Sequence, residues 1–215
     1  MAGTIVTQKL KSVLSLGIGY QVVSGGFVSM LTNQQIDSYD IVESAESIIA
    51  EFRDRHKAIN NINLYHNYFE NFSSNKKYDA IEMGFILEHV DDPQFILNRF
   101  KDFLTENGMI FIAVPNARSL HRLIGHYADL LPNIYELSQY DLQLGHKRYF
   151  DLPHIEDLVN SCGLKIITKK GLMLKPITGE QIKKLGWGDN IISALMIIGE
   201  SYPEIANCIY IEAQK

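Results

Sequence analysis

The run Ser12-Val-Leu-Ser-Leu-Gly-Ile-Gly19, followed by Asp40-Ile-Val-Glu43, constrains this chain more than any other feature. An apolar stretch ends in Gly17-Ile18-Gly19, and the next apolar stretch ends in an acid. Glycine carries no Cβ, so a backbone turn built from it approaches a ligand closely. A carboxylate at the tip of the following strand accepts hydrogen bonds from both hydroxyls of a ribose. The pair predicts a nucleotide-shaped site with Gly17, Ile18 and Gly19 on one side and Glu43 on the other. Gln21 stands where a third glycine is usual, Gly25 and Gly26 come late, and the Gly-x-Gly-x-x-Gly spacing of dinucleotide folds is missing. That departure counts against a pyrophosphate-bearing cofactor.

Strand and helix periods alternate behind this opening. Strands are predicted over 12–16, 39–42, 62–65, 78–85 and 109–114, the last stopping at Pro115. Helices are predicted over 25–31 and 45–56, and again from Pro93, capped by Asp92 and burying Phe95, Ile96, Phe100 and Leu104. Asn107-Gly108 reads as a turn. Repeated alternation of this kind implies a mostly parallel sheet with helices on both faces, and ligands beyond the carboxyl ends of its strands. Further on, helices are expected over 119–131, 152–162, 179–185 and 190–198, with strands over 164–168 and 208–211. Residues 132–149 form a long connection rich in Tyr, His and Asp, the composition of a lid or binding loop. His126, Tyr127 and Tyr135 are assigned to lid packing, and Met173, Trp187 and Met196 to the core.

A length of 215 residues suits one domain, and 46% hydrophobic against 21% charged residues is ordinary for a globular protein. The net charge of −5 argues against a nucleic-acid surface. Cys162 and Cys208 are scattered in apolar segments, so neither a disulfide framework nor a metal set is read from them, and a cytoplasmic location follows as the default. No segment approaches the roughly 20 apolar residues of a membrane span.

The stretch Tyr78-Asp-Ala-Ile-Glu-Met-Gly-Phe-Ile-Leu-Glu-His-Val-Asp-Asp-Pro93, taken with the opening, resembles the class I S-adenosylmethionine-dependent methyltransferases. Its Leu-Glu-His-Val turn and Asp-Pro are similar to the ubiquinone-biosynthesis O-methyltransferase pattern, in a bacterial small-molecule branch. The resemblance runs from about Ser12 to Lys215 and implies an α/β, Rossmann-like, seven-stranded sheet whose last strand is antiparallel. It implies S-adenosyl-L-methionine as cofactor and S-adenosyl-L-homocysteine as product. Gly17 and Gly19 would lie against the methionine part and Glu43, with Ser44 beside it, at the ribose. Asn67 or Tyr68 would reach the adenine, and Met83, Gly84 and Phe85 would border the reactive methyl group.

Pro115-Asn-Ala-Arg-Ser-Leu-His-Arg122 and Gly145-His-Lys-Arg-Tyr-Phe150 resemble acceptor-binding segments of the same branch, making 117–150 an inserted lid within one domain. Asn116, Arg118, Arg148 and Tyr149 are the expected acceptor ligands. An Arg fork suits a carboxylate or phosphate, although the Arg and Tyr would equally close the lid onto the core. His146, then His121 and His89, are the candidate bases for a neutral hydroxyl; His89 serves equally well as a helix-start structural residue. The expected reaction is methyl transfer to an oxygen of a small hydroxyl or carboxylate compound, with no nucleic acid, membrane or metal involved and a homodimer compatible with it. A nicotinamide-dependent oxidoreductase and a non-catalytic relative are the competing readings. Few residues precede the first strand, so the site is expected to lie open or be covered by 132–149 or another subunit.

Overall fold

A computed structural model describes residues 1–19 and 21–215. Its strands are β1 (Ser12–Leu16), β2 (Ser38–Glu43), β3 (Ile62–His66), β4 (Tyr78–Gly84), β5 (Leu104–Pro115), β6 (Lys165–Leu172) and β7 (Cys208–Gln214). Around them pack α1 (Ala2–Thr7), α2 (Val22–Thr32), α3 (Glu46–Arg55), α4 (Pro93–Lys101), α5 (Leu120–Tyr127), α6 (Gln139–Gln143), α7 (Leu152–Ser161), α8 (Gly179–Leu185) and α9 (Asp189–Gly199). The strands form one seven-stranded sheet in the order β3-β2-β1-β4-β5-β7-β6. Only β7 runs against the rest: it pairs antiparallel with both β5 and β6. This is the expected Rossmann-like architecture.

β1 is central and buried on both faces, which is why it reads as an unbroken apolar run. Successive side chains point to opposite faces of a strand. Leu14 and Leu16 therefore join Ile96, Phe100 and Ile155 on one side, while Val13 joins Ile5, Phe27 and Phe52 on the other. Each such fully buried side chain contributes about 1.5–3 kcal/mol. The two cores clamp the sheet, and the strands' carboxyl ends are left free to build a cleft.

Several expectations change. In α4, Asp92 accepts the Phe95 N–H at 2.9 Å as the predicted cap, but Phe95 is 45% exposed and Leu97 is buried instead. The inward stripe is Ile96, Leu97 and Phe100, at helical spacing, and Phe95 falls to its side. Leu104 opens β5 rather than closing α4. Asn107-Gly108 lies inside β5, where the register jumps from Tyr78↔Leu104 to Ala80↔Met109, so the turn signal marks a bulge. The helix expected to reach Leu131 ends at Tyr127, after which Asp129 adopts φ 57°. A short N-terminal helix, α1, does exist; Ile5 buries it in the core and the Thr4 hydroxyl donates to Glu212 at 2.8 Å. Met196 is 45% exposed rather than core. The reason is that α9 meets β6 through backbone: a Cβ on Gly171 would lie 2.2 Å from the Gly199 carbonyl oxygen. Among the described residues, no helix is long and apolar enough to cross a membrane.

Candidate active site

A cleft of 1180 Å³ opens at the carboxyl ends of β1, β4 and β5. Its first wall is the turn after β1. Gly17 adopts φ +79° and Gly19 φ +54°, conformations that L side chains rarely take. The Gly17 N–H donates to the Val42 carbonyl at 2.8 Å, which ties the turn to β2. Glu43, at the end of β2, then accepts the Ile18 N–H on Oε2 at 3.1 Å and the Ala45 N–H on Oε1 at 2.9 Å. Acid and glycine turn are thus one hydrogen-bonded unit. An ionised carboxylate has about four lone-pair sites, so two remain for hydroxyl donors. Gln21 adopts φ 62°, the left-handed conformation that suits the usual glycine, and starts α2 without a side-chain cap.

The expected cofactor residues separate into two groups. Gly17, Ile18, Gly19, Gly84 and Phe85 line the cleft. Met83 is fully buried and its side chain belongs to the core below. Ser44 and Tyr68 are exposed and Asn67 half-buried; all three follow the tips of β2 or β3 and lie outside the cleft's lining. Asn67 donates its N–H to the Glu43 carbonyl at 3.0 Å, so it braces the strand that carries the acid.

The far end of the cleft is made by the turn after β4, by α5 and by residues 130–149. His89, His121 and His146 all line it, so the structure brings the three candidate bases into one cavity. The His89 and His146 rings lie 4.7 Å apart, edge to face. Burial foremost, and then His146, lower the His89 pKa, while the Gly145 backbone opposes the drop. His121 is different: burial first, and then Lys175 and Arg122, push it down to about 3. A base that weak accepts a proton poorly at neutral pH, so His121 drops behind the other two.

The expected acceptor ligands are largely occupied elsewhere. Asn116 does face the cleft, yet its amide donates to the carbonyls of Pro203, Glu204 and Ala206, and its Oδ1 accepts the Arg118 N–H at 2.9 Å. It is a clasp between β5 and the approach to β7. Arg118 is exposed and Arg148 donates to the Asp91 carbonyl at 3.1 Å; neither lines the cleft. Tyr149 lines it, but its hydroxyl lies between Arg122, at 3.2 Å, and Asp141, at 3.1 Å. Burial raises the Tyr149 pKa to about 12.

Four residues without an assigned role emerge. Arg122 is buried and donates to the Ile134 and Glu136 carbonyls at 2.9 and 2.6 Å, holding the cover segment down. Asp141 forms a capping box with Ser138 at the start of α6, and the Ser-x-x-acid spacing is a legible signal for it. Glu88, between Leu87 and His89, is fully buried with neither carboxylate oxygen hydrogen-bonded, and burial raises its pKa to about 8. Lys175, whose pKa burial lowers, completes the wall opposite. Lys175 and Arg122 thus stand near His121, and Asp141 near His146.

Residues 5–169 match the family model described as a methyltransferase domain. The chain belongs to that methyltransferase family. No curated protein matches its sequence. The methyltransferase is similar in fold to the N-methyltransferase NodS of Bradyrhizobium japonicum WM9, with TM-score 0.62 and 10% identity over 100% of this chain and 92% of that one. A second crystal structure of NodS holds S-adenosyl-L-homocysteine. It is also similar to an S-adenosylmethionine-dependent methyltransferase of Mesorhizobium loti, with TM-score 0.65 and 12% identity over 96% and 91% of the two chains. A third likeness is to the 1,6-didemethyltoxoflavin-N1-methyltransferase of Burkholderia thailandensis, solved with its substrate and S-adenosyl-L-homocysteine: TM-score 0.63 and 11% identity over 100% and 76%.

Proposed function

We propose that this methyltransferase moves the methyl group of S-adenosyl-L-methionine to an oxygen of a small hydroxyl or carboxylate compound. The observation that carries the reading is the lock between Glu43 and Ile18, which ties a ribose-type acid to a glycine turn that lines the cleft, although Glu43 itself lies outside that lining. Gly17, Ile18 and Gly19 accommodate the methionine part, Glu43 the ribose, and Gly84 and Phe85 the region of the sulfur. Residues 117–150 cover the acceptor end, where Arg122 and Tyr149 act as closure and the histidines face the acceptor.

The sulfonium makes its methyl carbon electrophilic, so the protein's task is to hold a nucleophile in line behind that carbon and exclude water; such positioning supplies much of the rate. A neutral hydroxyl needs a base, for which His146 is first and His89 second; a carboxylate needs none. Arg118 and Arg148 remain candidates for acceptor binding only if the cover segment moves.

Thermal-shift and calorimetric titrations with S-adenosyl-L-homocysteine and with NAD test the donor. Binding of the first and not the second supports the reading; the reverse favours an oxidoreductase, and no binding of either favours a non-catalytic relative. Transfer of a carbon-13 methyl group to candidate acceptors, read by NMR, then distinguishes an O-methyl from an N-methyl product.

A further inference from the structure

We infer that Glu88, His89 and His146 form a binding site for a divalent transition-metal ion, set in the cleft where the methyl acceptor lies. One ligand atom from each of the three residues falls within 4.8 Å of the others. All three residues line the cleft. The inference deepens the proposed oxygen methylation and rests on it for the metal's role, though not for the site itself.

The deciding observation is Glu88. Its side chain has no exposed surface and both oxygens lack a hydrogen-bond partner. A buried carboxyl group without a partner is costly, and such groups give up their charge, are paired, or coordinate a metal. No Lys or Arg forms an ion pair with Glu88 among the described residues; the groups placed with it are two imidazoles. Two imidazoles and a carboxylate are the donor set of catalytic zinc sites and of open non-haem iron sites. Harder ions such as Mg²⁺ and Ca²⁺ take oxygen ligands instead.

The geometry is close to what an ion requires. Bonds of about 2.0–2.2 Å to a tetrahedral centre separate its ligand atoms by roughly 3.4 Å. Small side-chain rotations close the remaining gap, since the two rings are already 4.7 Å apart. Outer groups stand close by. His146 Nδ1 lies 3.3 Å from Asp141 Oδ1 without forming a hydrogen bond, and the Gly145 backbone holds His89. A small turn of the His146 ring would make Asp141 the kind of carboxylate that orients a ligating imidazole. The Lys147 N–H donates to the Glu88 carbonyl at 2.8 Å, fastening the segment that brings His146 to Glu88.

Three protein ligands leave a coordination position facing the cleft, where an acceptor hydroxyl can bind. Coordination lowers the hydroxyl's pKa, as it does for water. The hydroxyl proton leaves to solvent, and an oxygen lone pair forms the O–CH3 bond. The C–S bond breaks with its electron pair going to sulfur, so the sulfonium becomes a thioether. No electron is exchanged with the metal.

The test uses the full chain after chelator treatment, titrated with Co²⁺ and read by its visible d–d absorption, and with Zn²⁺ by calorimetry. Saturable one-to-one binding is expected, weakened by about tenfold or more in both Glu88→Gln and His146→Asn. His154→Ala, which removes a separate surface His–Asp pair, should bind as the parent does. No saturable binding at millimolar metal, or unchanged affinity in either ligand variant, overturns the site; so does lost binding in His154→Ala. S-adenosyl-L-homocysteine titrations run in parallel show that the variants are folded. They also separate the two claims, because donor binding without metal binding sinks only the metal site.

Discussion

The guanidinium of Arg122 sits 4.1 Å from the ring centroid of Tyr149, and its Nη1 lies 3.2 Å from the hydroxyl of that residue. The same side chain reaches the carbonyls of Ile134 and Glu136, so one buried cation from α5 holds both ends of the cover segment. Arg122→Ala should cost about 2–3 kcal/mol, the scale of charged hydrogen bonds lost from a buried site. Urea denaturation reads the loss, and trypsin should cut residues 132–149 faster. Arg122→Lys should recover little, because an ammonium lacks the planar fork. Unchanged protease resistance would refute the clasp.

Glu43→Gln keeps one acceptor oxygen for the Ile18 N–H and removes the charge. Charge-assisted hydrogen bonds are worth about 1.5–3 kcal/mol, so affinity for S-adenosyl-L-homocysteine should fall roughly 10- to 100-fold. Calorimetry on the folded variant measures it. An unaltered dissociation constant would remove Glu43 from donor binding.

Glu82, in β4, is buried, and that burial raises its pKa from 4.5 to about 7, against the Gly84 N–H, which donates to it at 2.7 Å, and the Ser15 hydroxyl. The folded protein then binds a proton that the unfolded chain has already released. The contribution is therefore complete below pH 4.5 and declines as pH rises towards 7. The slope approaches about 1.4 kcal/mol per pH unit within that window. Glu82→Gln should flatten it. Denaturation curves at several pH values compare the two proteins, and parallel profiles would exclude Glu82 as the source.

Asn116 turns its amide hydrogens towards three carbonyls of the 203–206 segment. Asn116→Ala leaves those acceptors unpaired and should cost about 1–3 kcal/mol. Asn116→Asp should cost more at neutral pH, because it points a carboxylate at carbonyl oxygens. Equal stability of the two variants would show that the amide hydrogens are not what matters.

The mostly parallel sheet and the glycine–acid pair were readable because each leaves a local trace: an unbroken apolar run, a Gly-x-Gly, an acid after Val42. The Asp92-Pro93 cap was readable for the same reason. Burial direction within α4 was not, since Phe95 and Leu97 are equally apolar and only the docking angle chooses between them. Gly171 and Gly199 gave no warning that α9 would leave Met196 outside. The acceptor end was least legible. Asn116, Arg148 and Tyr149 have the chemistry of ligands, but tertiary contacts spend it on Ala206, Asp91 and Arg122. Glu88 stood in plain view beside His89; its isolation became visible only once Lys147 and His146 were folded against it.

Because β7 runs against its neighbours, it begins at the carboxyl edge of the sheet, beside Pro115, where Asn207 and Cys208 join Lys175 on the cleft wall. The family match stops at residue 169, within β6, so that wall lies past the shared region. One flank of the cleft therefore comes from the stretch after β6, while the glycine turn, the three histidines and the cover segment all lie inside the family match. Substitutions in that stretch can reshape one flank of the cavity and leave the glycine turn untouched.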